Sequence, residues 1–160
     1  MSLTPANFSV PKELVTDRLR LRMLTVNDVV KDYDAVMTSV DHLKGVFGPD
    51  HKWPYPELTL EQDLIDLGWH QKEFQTMSSF AYTVMKLDES QCLGCLYLFP
   101  SHKKDYEVEV FMWVRASEAD TGLDQHLFDA VSKWISGSWP FKKVGYPGRT
   151  IDWPTWKSLE

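Results

Sequence analysis

A chain of 160 residues, 43% of them hydrophobic, suits one globular domain and leaves no room for a second. Its 17 basic and 23 acidic residues give a net charge of -6, which excludes the basic footprint that nucleic acid or an anionic membrane demands and favours a cationic partner such as an amine. Two cysteines, with no charged and then apolar leader at the start, set aside a secreted disulfide scaffold, and the apolar runs, such as Cys92 to Phe99, fall short of the roughly 18 residues of a membrane helix. The expectation is a soluble protein of the reducing cytoplasm.

Residues 1–12 show no period and read as an irregular arm. From Arg18 to Met23, charged and apolar side chains alternate, the pattern of a strand with one face on the core and one in water. Thr25 and Asn27-Asp28 offer capping oxygens. Val29, Val30, Tyr33, Val36, Met37 and Val40 then recur at helical spacing, which predicts a helix to about Val40. Between Asp41 and Leu58, glycine and proline at Gly45, Gly48, Pro49, Pro54 and Pro56 predict a long loop without regular structure. Thr59 and Gln62 read as a capping box for a second helix, whose apolar face is Leu60, Leu64, Leu67 and Phe74.

Ser79–Met85 and Cys92–Phe99 are predicted as strands of an antiparallel hairpin turning at Asp88-Glu89-Ser90. The central strand follows, Tyr106–Val114. Period two places Glu107, Glu109, Phe111 and Trp113 on one face and Val108, Val110, Met112 and Val114 on the other. An acidic loop through Glu118 and Asp120 leads into a helix from about Gly122 to Ile135, with Leu123, Leu127, Ala130, Val131, Trp134 and Ile135 in one stripe. Thr121 with Asp124 reads as its capping pair and Gly137 as its stop. Phe141–Tyr146 predicts one more strand, parallel to the central one because a helix joins them, the pair splaying at the C-terminal end of the first and the N-terminal end of the second. Residues 147–160 carry prolines and tryptophans with no period, an irregular tail.

The run Glu109-Val110-Phe111-Met112-Trp113-Val114-Arg115, with Gly122-Leu123 and Leu127 after it, resembles the core of the GNAT acetyltransferase superfamily, in its ribosomal-protein-alanine acetyltransferase-like branch. Leu14-Val15-Thr16-Asp17-Arg18-Leu19-Arg20-Leu21-Arg22 is similar to that branch's opening strand and Leu93-Gly94-Cys95-Leu96 to its third, so the resemblance spans about residues 13 to 146. It implies a single α/β (α+β) domain, 1–160, with a mixed, mostly antiparallel central sheet flanked by helices, the acyl-CoA N-acyltransferase-like fold. It also implies acetyl-CoA as co-substrate. The family's phosphate loop has Arg or Gln, two residues, Gly, one residue, then Gly or Ala; the corresponding positions are Ala119, Gly122 and Asp124, and only the middle glycine is kept. A helix and strand in the tail, with a tyrosine as general acid, find no match.

For the chemistry, Glu109 matches the family's strand glutamate, and Glu107 lies one pleat away; either carboxylate could take a proton from a substrate ammonium. The resemblance assigns the thioester and its arm to Val110, Met112 and Val114 of the strand. Gly122 and Leu123 open the helix N-terminus where free N–H groups favour pyrophosphate. Glu118, Asp120 and Asp124 place three carboxylates at that same end, which predicts weak CoA binding through like-charge repulsion. Cys92 and Cys95 read as core cysteines on opposite strand faces, no metal spacing appears among the histidines, and Trp53, Trp153 and Trp156 read as anchors of loops or as walls of a groove. Two functions follow: an N-acetyltransferase acting on a small-molecule amine or a protein N-terminus, or a degenerate GNAT-fold protein without CoA that binds a small ligand or protein partner. A homodimer is left open by the sequence.

Overall fold

The computed structural model describes all of residues 1–160. Its centre is a six-stranded sheet in the order β1 (Glu13–Val15), β2 (Arg20–Met23), β3 (Phe80–Met85), β4 (Cys92–Pro100), β5 (Val108–Val114), β6 (Val144–Gly145). Neighbours are antiparallel except the last pair, β5 and β6, which run parallel. This is the mixed, mostly antiparallel sheet expected. Helices α1 (Val29–Met37), α2 (Val40–Leu43) and α3 (Leu60–Gln75) precede β3, α4 (Leu123–Ser138) joins β5 to β6, and α5 (Trp153–Ser158) closes the chain. No helix is long and apolar enough to cross a membrane.

The sheet separates two apolar cores, and the alternation of β5 shows how. Val108, Val110, Met112 and Val114 pack with Leu123, Leu127, Val131, Trp134 and Ile135 of α4. Phe111 and Trp113 pack on the other side with Ala35 and Val36 of α1 and Leu67 of α3. Leu127, fully buried, is worth about 1.5 to 3 kcal/mol of hydrophobic burial, and several such residues fix α4 against the sheet. Arg115, itself buried, ties the end of β5 to α1 by donating to the Asp34 carboxylate at 3.0 Å and the Thr38 hydroxyl at 3.1 Å.

Several expected boundaries move. The opening strand is two: Thr16 Oγ1 accepts from the amides of Arg18 and Leu19, which turns the chain between β1 and β2. The first helix breaks at Thr38 and resumes as α2, so the expected loop begins with a helical turn. Thr59 accepts from the Gln62 amide, but the Gln62 side chain reaches Asp66 instead of returning, so only half of the capping box forms. Gly137 lies inside α4, which runs on to Ser138, and Asp124 is not a cap: Gly122 caps the helix at a φ of 79°, a left-handed conformation that glycine adopts freely. The tail is not irregular throughout, because the Asp152 carboxylate accepts from the Thr155 amide at 2.8 Å and, with Pro154, starts α5.

Cys92 and Cys95 share a face, contrary to expectation. Cys92 pairs with Met85 and Gly94 with Val84, leaving Leu93 without an opposite residue. That extra residue is a bulge, and it restores both thiols to the α1/α3 side while Leu93 and Leu96 both face α4. Gly94 is required there: a Cβ would stand 1.9 Å from the Trp113 carbonyl oxygen. Both cysteines are buried and form no disulfide, and burial pushes the Cys92 thiol up to about 12.

Both helices on that side also sit rotated from their apolar stripes. Val30, Leu60 and Leu64 are exposed, whereas Asp32 of α1 and Asp63 of α3 are buried.

Candidate functional site

Strand β6 meets only the start of β5, through Val108 opposite Val144 and Glu109 opposite Gly145. The two strands then part toward the C-terminal ends of both, since parallel strands diverge at like ends; the expectation of opposite ends is corrected. Trp156 packs over the face of β6, its Cη2 2.8 Å from the position of a Cβ on Gly145, and lies against Tyr106 at 4.9 Å. Val110–Val114 therefore present an edge without a partner strand.

That edge is one wall of a cavity of about 330 Å³. Val110, Met112 and Val114 line it, together with Phe111 and Trp113. The segment 42–46 and the tail residues Pro147, Gly148, Arg149 and Trp153 close the other sides. Trp153 lies nearly parallel to Phe111, at 11° and 6.3 Å. At the mouth stands the first turn of α4. The N–H groups of Asp124 and Gln125 donate to no protein acceptor, which leaves them free for a ligand anion. Gly122 and Leu123 flank these amides but do not line the cavity.

The charges at this mouth differ from the sequence expectation. Asp124 is held by Arg149 in a two-pronged ion pair, both contacts at 2.8 Å, and Arg149 also donates to the Met112 carbonyl at 3.1 Å. Arg18 donates to the Thr121 carbonyl at 3.2 Å, on the approach to Gly122. The Glu118 carboxylate accepts from Thr121 Oγ1 at 2.8 Å, while Asp120 is exposed. His42 and Lys44 add two more nitrogen side chains to the cavity. Of the three carboxylates, Asp124 alone is neutralised, by Arg149 from the tail; Arg18 brings a second cation to the loop, while Lys44 is paired with Asp41 at 2.9 Å. Sequence reasoning missed Arg18, Lys44 and Arg149 because nothing in their local pattern links them to the loop.

Glu107 and Glu109 sit at the other end of β5, outside this cavity. The Glu107 carboxylate accepts from the amides of Lys142 at 2.6 Å and Lys143 at 2.8 Å, and these bonds hold it below the usual carboxylate range. Its task here is to dock the segment entering β6. Glu109 accepts from Ser101 Oγ at 3.1 Å and the His102 amide at 3.3 Å, and its cross-strand neighbour is Phe99.

Phe99 belongs to a second cavity, of about 420 Å³, between β4, α1, α3 and the loop before α3. Trp53, Trp69, Tyr97 and Phe47 share its wall. Asp32 and Asp63 line it, and burial pushes both carboxyls up, with repulsion from Asp63 adding to the rise at Asp32 and repulsion from Asp66 to that at Asp63. Burial also keeps His70 below its ordinary value, hence neutral. A signal for these residues does exist in the sequence: Asp63, Leu67, His70 and Phe74 fall at helical spacing, so the inward stripe of α3 contains the polar residues.

No protein-family model and no curated protein matches the sequence. Solved structures do. One is RimL, a ribosomal L7/L12 alpha-N-protein acetyltransferase in complex with coenzyme A, at a TM-score of 0.62 and 15% identity over 77% of this chain and 66% of that one. A ribosomal-protein-S5-alanine acetyltransferase from Vibrio fischeri gives 0.61 and 14%, over 77% and 66%. The microcin C7 self-immunity acetyltransferase MccE, in complex with acetyl-CoA and AMP, gives 0.59 and 13%, over 81% and 70%. The chain has the GNAT fold. It spans about two thirds of the length of the two ribosomal-protein neighbours. Within the GNAT fold, the cleft beside β5 and the second cavity lie on either side of an aromatic partition, in which Phe47 packs edge-on to Phe111 at 5.3 Å and Trp53 lies 6.1 Å from Trp113.

Proposed function

We propose that this protein is an N-acetyltransferase that uses acetyl-CoA as co-substrate and an amine as acceptor, either a small molecule or a protein N-terminus. The observation that carries the reading is the open edge of β5. A cleft walled by Val110, Met112 and Val114 there ends at free amides of a helix N-terminus with Arg149 and Arg18 beside them, the combination that suits a long ligand with a thin apolar arm and a phosphate head. In this reading Val110, Met112 and Val114 hold the arm and thioester, and the first turn of α4 from Gly122 and Leu123 holds phosphate. Arg149 exchanges Asp124 for a phosphate oxygen, to which a guanidinium binds with equal geometry.

Such a transfer needs no covalent enzyme intermediate. It needs the amine and thioester placed together and a proton removed from the ammonium, for which Glu109 is the candidate acceptor. Glu109 shares its strand face with Phe111 and Trp113 and neighbours Phe99, so a water can link it to an amine on that side of the sheet. The rival reading, a GNAT-fold protein without CoA, draws on the same Arg149, which as it stands crosses the cleft to Met112. Incubation with acetyl-CoA and a panel of amines and N-terminal peptides, read as release of free thiol, separates the two. Amine-dependent release supports transfer; release no faster than hydrolysis without any acceptor contradicts it.

A further inference from the structure

Helix α3 turns an apolar strip to solvent. Of the nine large apolar side chains that the chain leaves exposed, four belong to this helix: Leu60, Leu64, Ile65 and Trp69, the last two 47% and 57% exposed. Single exposed apolar residues are ordinary, but side chains three and four apart on a helix touch, so these four form one continuous surface of the kind that marks an interface. Glu61, Gly68 and Lys72 give the strip an order. Positions 61, 65, 68 and 72 are spaced by four, three and four, the repeat of a two-helix seam, and lie on the face opposite the buried Asp63, Leu67 and Phe74. Gly68, near the middle, bears no side chain, so another helix can approach the backbone closely there.

The charges on the seam decide what covers it. Glu61 stands at the start of the helix and Lys72 in its last turn, and neither enters an ion pair within the chain. Lys72 rests its ammonium over the Trp69 ring, 5.0 Å from the centroid. A second α3 laid antiparallel, with the two-fold axis between Asp66 and Leu67, sets Glu61 opposite Lys72 at both ends. The pairs 61/72 and 65/68 are symmetric about that same point, so one register also seats Ile65 of each copy over Gly68 of the other. A parallel pairing would oppose Glu61 to Glu61 and Lys72 to Lys72, and a partner of one charge sign would leave one end unmatched. A 16-residue helix is about 24 Å long, a contact smaller than the roughly 800 Å² per partner of a standard interface, which suits a weak dimer.

We propose that the outer face of α3 binds a second copy of this chain, as an antiparallel helix pair with Ile65 packed on Gly68 and Glu61 paired with Lys72 across the two-fold axis. The dimer rests on this face alone and holds whether or not the chain transfers acetyl groups. The test is sedimentation equilibrium at low salt, from about 1 μM to about 500 μM protein, where the mass is expected to rise from one chain toward two with a Kd on the order of 10 μM. Ile65→Asp, a change at an exposed position, is expected to weaken association by about tenfold or more, with the folded state checked by circular dichroism. Glu61→Lys alone and Lys72→Glu alone each oppose like charges at both ends and are expected to weaken it by about threefold. The two charge variants mixed together are expected to recover the wild-type affinity as a heterodimer, because every opposed pair is then Lys against Glu. A wild type that stays at one chain mass throughout, or passes two, would overturn the proposal. So would wild-type association in Ile65→Asp, which would place the contact elsewhere, or a mixture of the charge variants that associates no better than either alone.

Discussion

Glu109 and Glu107 differ by one pleat, and their surroundings divide their tasks. Glu107 anchors two backbone amides through its Oε2, so its contribution is to stability. Glu109 has a hydroxyl and one amide as donors and the aromatic side of the sheet as neighbour. Glu109→Gln is therefore expected to reduce amine-dependent thiol release by about 100-fold or more, the range of a general base, while Glu107→Gln leaves turnover per folded molecule near the wild-type value and lowers stability by about 0.5 to 1 kcal/mol. An unchanged rate in Glu109→Gln would remove it from the chemistry. Asp63 belongs to the same scale. Its carboxyl and that of Asp32 are raised by burial; repulsion from Asp63, Asp28 and Asp66 adds to the rise at Asp32, and repulsion from Asp66 to that at Asp63, where a hydrogen bond from Asp32 opposes it. A raised carboxyl binds its proton better in the folded state, so stability is fully present at acid pH and falls as pH rises through the folded titration. Asp63→Asn should therefore raise Tm at pH 8 by more than at pH 5, checked by thermal denaturation at both. A wild-type Tm that climbs steadily from pH 5 to 8, with no gain from the substitution, would contradict the buried pair as described.

At the scale of elements, the β4 bulge sets which side chains reach which core. Leu93 unpaired beside Gly94 moves Cys92 to the side of Cys95, and Gly94 permits the close crossing over Trp113. Gly94→Ala places a methyl where the backbone of β5 already lies, so a loss on the order of 4 kcal/mol or more is expected in urea denaturation. An unchanged midpoint would mean that β4 and β5 can separate locally without cost. The strands themselves were legible because period-two patterning and short polar turns are local signals: β3, β4 and β5 stand where alternation put them, and the parallel β5–β6 pair follows from the connecting helix. The bulge was not legible, since a single extra residue inside an apolar run leaves no mark on the pattern. Nor were the faces of α1 and α3. There the apolar residues Val30, Leu60 and Leu64 compete with Asp32 and Asp63 for the same periodicity, and hydropathy alone turns the carboxylates outward. The short α5 was hidden because a cap and a proline announce a helix too short to show a stripe.

For the whole molecule, two cavities flank one aromatic partition, and each joins segments far apart in sequence. The mouth of the β5 cleft takes Lys44 from the long loop and Arg149 from the tail, with Arg18 from the first turn on the adjoining Thr121 carbonyl, so the acidic residues at 118–124 are not the whole of its charge. Charge balance at a ligand site is a tertiary property, and no window of sequence contains it. The most direct measurement of the central claim is a thermal denaturation with and without acetyl-CoA at low salt, repeated on Arg149→Ala. Ligand at one hundred times its Kd stabilises by about 2.7 kcal/mol, which for a domain of this size is a rise of roughly 5 to 10 °C. The account predicts a saturating rise of this order in the wild type, reduced by added salt and by Arg149→Ala. No shift at millimolar acetyl-CoA, with the protein folded, would contradict it.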